Sequence, residues 1–151
     1  MEIKSNVTLT GHINFKLFDV NGNLKDERDI KNTVVTVGKA YLAAWLTANT
    51  QSDYFMKYVA LGTGTNPSSS SDTALQTELP TRIVGTLSNP SAVVWQSVAT
   101  FGAGINTGTI SEAGIFSASS GGTMLARQAG FAAIPKGSGD SLQVTWQITI
   151  S

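Results

Sequence analysis

Apolar and polar positions alternate most cleanly near the C-terminal end of the chain. Leu142, Val144, Trp146, Ile148 and Ile150 fall on one side of a period of two, and Gln143, Thr145, Gln147 and Thr149 on the other. That period predicts a half-buried strand with the first set inward. The outward set is uncharged, whereas a solvated strand commonly carries charge, so a partner sheet or subunit is expected over this face. Ile13, Phe15 and Leu17 alternate with Asn14 and Lys16 in the same manner. Asn21-Gly22 follows, and because both residues tolerate positive φ it predicts a tight hairpin turn. The return arm, Leu24 to Ile30, carries Lys25, Asp26, Glu27, Arg28 and Asp29, the charge pattern of an exposed edge. Residues 12–30 are therefore expected as a protruding hairpin, either an arm gripping a neighbour or a solvated ribbon.

Between these ends the pattern changes several times. A β-rich run, Asn32 to Val37, leads into a helix opened by Thr36 or Gly38. Tyr41 and Trp45, and Leu42 and Leu46, are four residues apart, so adjoining helix faces are apolar and Trp45 is expected in the core. Thr47 to Ser52 is a polar exit loop. Tyr58 to Leu61 reads as a short buried strand running into Gly62-Thr63-Gly64-Thr65-Asn66-Pro67. Thr73 and Gln76 have capping-box spacing for a short helix, Ala74 to Leu79, stopped by Pro80. Two strands, Arg82 to Leu87 and Ala92 to Phe101, are separated by an Asn89-Pro90-Ser91 turn. Thr109 to Phe116, a small-residue turn over Ser117 to Gly122, and Thr123 to Ala129 form a further hairpin. Gly137 to Asp140 is the turn before the last strand.

So many strands with short turns predict a mainly β chain, an antiparallel β-sandwich of jelly-roll-like type with one or two short helices. A single domain spanning residues 1–151 is the natural division. Charged residues are only 13% and the formal net charge is zero, so no long-range field draws in nucleic acid or an anionic membrane. No signal peptide or membrane-spanning run is visible, and synthesis in the cytoplasm is expected.

Candidate chemistry is sparse. There is no cysteine and a single histidine, His12, which excludes thiolate metal sites and leaves no ligand spacing for a histidine-based one. The glycine-rich turn after Leu61 lacks the terminal Gly-Lys-Ser/Thr of a phosphate loop and the third glycine of a dinucleotide fingerprint, so a flexible surface loop is expected. No nucleophile-elbow pattern surrounds any serine. Glu112 stands alone in a neutral strand with Arg127 on the returning one, and a cross-strand pair, located at a subunit contact, is expected in preference to catalysis. The basic residues are interleaved with acids rather than clustered. Neither an enzyme nor a cofactor is expected.

One resemblance adds to this. Lys31 to Gly38 leading into a helix, Val59 to Thr65, Asp72 to Leu75, Gly108 to Phe116 and Gly122 to Arg127 follow one another as in small virion proteins of tailed bacteriophages. The similarity covers most of the chain after Leu24. It resembles proteins of the capsid cement (decoration) and tail-fibre kinds, and implies a β-sandwich that works by surface contact. On that resemblance the partners are the major capsid protein and further copies of the chain, as a dimer or trimer, and the location is the virion. Tail fibre or baseplate proteins are the alternative partners. The expected contact residues are Phe15, Leu17, Lys25, Arg28, Glu112, Arg127, Gln143 and Gln147, with the loops 62–72 and 102–108. A carbohydrate-binding module is a further alternative, requiring Trp95, Trp146 or Tyr54 as an exposed stacking platform.

Overall fold

The computed structural model describes residues 6–47 and 55–151. Residues 1–5, most of the polar exit loop and Tyr54 lie outside the described residues. In chain order the elements are β1 (Leu9–Phe18), β2 (Leu24–Val34), α1 (Thr36–Trp45), β3 (Tyr58–Gly62), β4 (Ile83–Val84), β5 (Thr86–Ser91), β6 (Val94–Phe101), β7 (Gly108–Phe116), β8 (Met124–Lys136) and β9 (Ser141–Ile150). The strands run in the order β4-β3-β7-β8-β2-β1-β9-β6-β5, and every pairing is antiparallel. The chain is therefore mainly β, of sandwich or barrel-like class, with one short helix among the described residues.

Two segments turn the corners of this sheet. β2 pairs with β1 along most of its length, then crosses to β8 through Thr33 and Val34. β4 and β5 are separated only by Gly85, yet they stand at opposite ends of the strand order. Gly85 N–H donates to Lys57 O at 2.6 Å, so one stretch of chain serves β3 on one side and β6 on the other. The sheet is thereby nearly closed, although β2 meets β8 only through Thr33 and Val34.

The interior follows the period-two pattern. Ile13, Phe15, Leu17, Phe101, Val144, Trp146 and Ile148 meet Val59, Leu61, Ile110, Ile115, Leu125 and Ile134 in one buried cluster. β9 alternates as expected except at its end, where Ile150 is exposed. The hairpin 12–30 does not protrude. β1 is flanked by β9 over its whole length and by β2 from Gly11 onward, and Phe15 and Leu17 are core residues with no surface to offer a partner.

Around β7 the alternation fails for a physical reason. Every residue from Ile110 to Phe116 is buried, because both faces are covered. One lies on the main core; the other carries a second cluster of Val35, Ala60, Leu75, Phe116 and Met124. The covering layer is the segment between β3 and β4, which supplies Leu75. The helix expected over Ala74 to Leu79 does not form there. The Gln76 and Thr77 N–H groups are turned to a buried carboxylate instead of into a helical ladder.

Helix α1 starts where expected and has no side-chain cap at Val35. Gly38 is buried against β8, and a Cβ there would lie 2.5 Å from Leu125 O, so only glycine permits this approach. Tyr41 and Leu42 pack on the core. Trp45, expected inside, is 43% exposed at the helix end. The turn expected at Asn89-Pro90-Ser91 is shifted to Ala92-Val93, since β5 continues through Ser91. β8 runs past Ala129 to Lys136.

Candidate functional site

Two arrangements stand out, one internal and one on the surface. The internal one is built on Glu112, which is fully buried. The register shifts between Ile110 and Glu112, where Ser111 alone stands against residues 130–133, so the extra residues are on β8. Consecutive residues of β7, Ser111 and Glu112, address the same turn. Ser111 Oγ donates to Gly64 O at 3.0 Å, and Gly64 N–H donates to Glu112 Oε1 at 3.1 Å. Thr77 N–H reaches Oε1 at 2.6 Å and Gln76 N–H reaches Oε2 at 2.9 Å. Arg127 Nη2 completes the shell at 2.8 Å from Oε2.

Arg127 lies opposite Gly114, and Glu112 opposite Ala129, so the two charges are diagonal neighbours on one face. The expected pair exists, but it lies inside the chain and not at a subunit contact. The guanidinium also donates to Asp72 Oδ2 at 2.8 Å. Gly62 and Gly64 are required by this packing, because a Cβ on either would lie 2.5 Å from Glu112 Oε1. The glycine-rich turn is thus anchored at several points. It is filled by the chain's own carboxylate rather than by a phosphate.

Burial pushes the Glu112 carboxyl up, but the N–H groups of Thr77 and Gln76, the Arg127 guanidinium and the Gly64 N–H outweigh it. The group is held below the ordinary carboxylate range. Burial likewise works against the charge on Arg127, while Glu112 and Asp72 reverse it and raise its pKa. All the acceptor directions of Glu112 are occupied by the fold, so this carboxylate is committed to holding residues 62–79 on β7 and β8.

The surface arrangement is the outer face of β1, β9 and β6. Gln143, Thr145, Gln147 and Thr149 are half-buried there, and Gln147 Nε2 donates to Gln96 Oε1 at 2.7 Å. Gln96 in turn donates to Ser88 at 3.2 Å. These amides form an ordered, uncharged strip in mid-sheet. Along its β1 and β2 border stand His12 and Asp29, with Nδ1 and Oδ1 2.6 Å apart, and Lys16 with Glu27 at 3.8 Å. His12, Asn14, Lys16, Asp29, Thr145 and Gln147 enclose a shallow polar hollow of about 230 Å³.

The remaining expected contact residues have intramolecular partners. Lys25 pairs with Asp140 at 2.8 Å. Arg28 pairs with Asp26 at 2.8 Å and donates to Ala132 O, bridging β2 and β8. The loop 102–108 is pinned by Lys136, whose buried Nζ donates to Gly102 O at 2.9 Å. Burial pushes the Lys136 amine down, against the pull of Asp140. Asn106 holds Thr81 through both its side-chain amide atoms. Trp146 is buried and offers no stacking platform, while Trp95 is partly buried against the core. Among the described residues no three acidic or histidine side chains gather as a metal site requires.

Sequence reasoning gave Gln76 a helix-capping role and Asp72 a place in a contact loop, and it gave Lys136 and Asp140 no role. Their one legible signal was polarity next to glycine-rich turns; nothing in their spacing shows that they anchor those turns. No family model, no curated protein and no solved structure matches this chain.

Proposed function

We propose that this chain is a non-enzymatic virion structural protein of a tailed bacteriophage, a capsid cement protein that binds and stabilises the major capsid shell. The observation that carries the reading is the uncharged strip Gln143, Thr145, Gln147 and Gln96 in the middle of a rigid sheet face. Burying ions against another protein is costly, and interface centres are depleted of charge. An ordered amide strip supplies hydrogen bonds without that cost, and the charged border of β1 and β2 suits a polar rim. The resemblance of its order of segments to small phage virion proteins supports the same reading. Binding only the assembled shell, such a protein stabilises it by mass action.

The test uses purified capsids stripped of this protein and then given it back. Rebinding with a raised shell-melting temperature is expected for the unmodified chain. Thr145→Lys and Gln147→Lys place charge in the strip and should each weaken binding at least tenfold while leaving the isolated protein's melting temperature nearly unchanged. Unimpaired binding by both variants defeats the role given to the strip. In imaging of tagged virions, label confined to the tail replaces the cement reading with a tail fibre or baseplate role.

A further inference from the structure

The edge of β2 carries a different kind of surface. On the side away from β1, β2 meets another strand only at Thr33 and Val34. From Leu24 to Asn32 every second residue therefore turns its backbone N–H and C=O towards no neighbouring strand. A row of this kind is a template for pairing with another chain. β8 reaches this stretch from the inner side and not along the edge. Arg28 stands opposite the core residue Phe15, and its guanidinium donates to Ala132 O. Lys25, Glu27, Asp29 and Lys31, which alternate with the half-buried residues of β2, are exposed.

We propose that this edge pairs antiparallel with the same edge of a second copy, about a two-fold axis that passes at Glu27. In a two-fold contact residue i meets j and j meets i, so the order of charges along the strand decides whether it forms. Centred on Glu27, the pairing sets Lys25 against Asp29, Asp26 against Arg28 and Leu24 against Ile30, each twice. Moving the axis to Arg28 sets Lys25 against Lys31 and Glu27 against Asp29. An axis at Asp26 or Asp29 keeps a single kind of opposite-charge pair, Lys25 with Glu27 or Glu27 with Lys31. Opposite charges facing each other across two strands are favourable and like charges are not. The charge order of β2 thus selects β2 itself as the occupant, in one register. The two Glu27 carboxylates meet on the axis, but each already accepts from Asn14 Nδ2 at 3.0 Å and has Lys16 at 3.8 Å, which offsets the like pair. Lys25 is the extra residue of a bulge, and its long, half-exposed side chain spans the offset. The pairing goes beyond shell binding and does not rest on it. It joins the β5-to-β2 halves of two sheets and turns both uncharged strips the same way.

Sedimentation velocity of the isolated full chain over a concentration series tests this without capsids. One edge pairing is a small interface, so the expected result is a reversible monomer–dimer equilibrium with a dissociation constant on the order of 10–100 μM. Lys25→Asp and Asp29→Lys each set like charges against each other and should each weaken the dimer roughly tenfold. The melting temperature of the monomer should change little, because exposed ion pairs contribute little to stability. Mixed in equal amounts, the two variants oppose unlike charges again at both contacts, and the dimer should return as a heterodimer. Lys39→Asp, the same change of charge on an exposed position of α1, should leave the equilibrium alone. A chain that stays monomeric well above about 100 μM, a trimer, a dimer indifferent to both β2 variants, or a mixture that restores nothing overturns the proposal. None of those outcomes touches capsid rebinding, which is measured separately.

Discussion

A carboxylate taken out of water is tolerated only when its lone pairs are filled. At Glu112 the fold fills them with three backbone N–H groups and Arg127. Removing its charge strands the guanidinium in a buried site, so Glu112→Gln should cost about 3–5 kcal/mol in urea unfolding. Pairing it with Arg127→Met should cost less than the two single changes summed, since each removes the same interaction. The pH dependence has a definite sign. The folded-state carboxyl is depressed, so its contribution is complete above the ordinary unfolded value of about 4.3 and is lost as pH falls through the lower folded value. Acid unfolding of Glu112→Gln should therefore be shallower than that of the unmodified chain. The Glu112–Arg127 pair was legible because two charges stood on neighbouring strands of an otherwise neutral stretch. The backbone donors were not, because a main-chain N–H leaves no trace in residue identity.

Strands with one solvated face were legible down to which residues point inward, whereas β7 was legible as a strand but not in its burial on both faces. β9 announces itself because Gln and Thr separate its apolar residues. β7 loses its period because Leu75 and its loop cover the second face. The failed helix at Ala74 to Leu79 has the same origin: local propensity favours a turn of helix, but Glu112 draws its N–H groups elsewhere. Trp45 was expected inside because helical spacing reveals that a face is apolar, not how much of it a sheet covers. Helix α1 gives the clearest test at this level. Glycine within a helix is worth about 1 kcal/mol less than alanine, so Gly38→Ala should help if propensity decided the outcome. The Leu125 backbone against Gly38 cannot yield as a side chain would. The net effect expected is a loss of about 1–3 kcal/mol, read from thermal unfolding.

The architecture as a whole was legible as a class and not as a topology. Alternation and turn signals count strands, but they do not tell which strand lies beside which. That β1 lies between its hairpin partner and β9, or that Gly85 divides one segment between two neighbours, depends on pairings across most of the chain. A further property follows from the first of these. Leu9 stands opposite Ile150, and Thr8 and Ser151 exchange backbone hydrogen bonds at 2.5 and 2.9 Å. The first and last described strands are thus neighbours. A circular permutant joined across Thr8 and Ser151 by a short glycine linker, and reopened in the exposed turn at Ser119-Ser120, should refold to a similar far-ultraviolet spectrum. Its new ends would emerge at a different site on the surface, moving any fused cargo there without altering the fold that carries it.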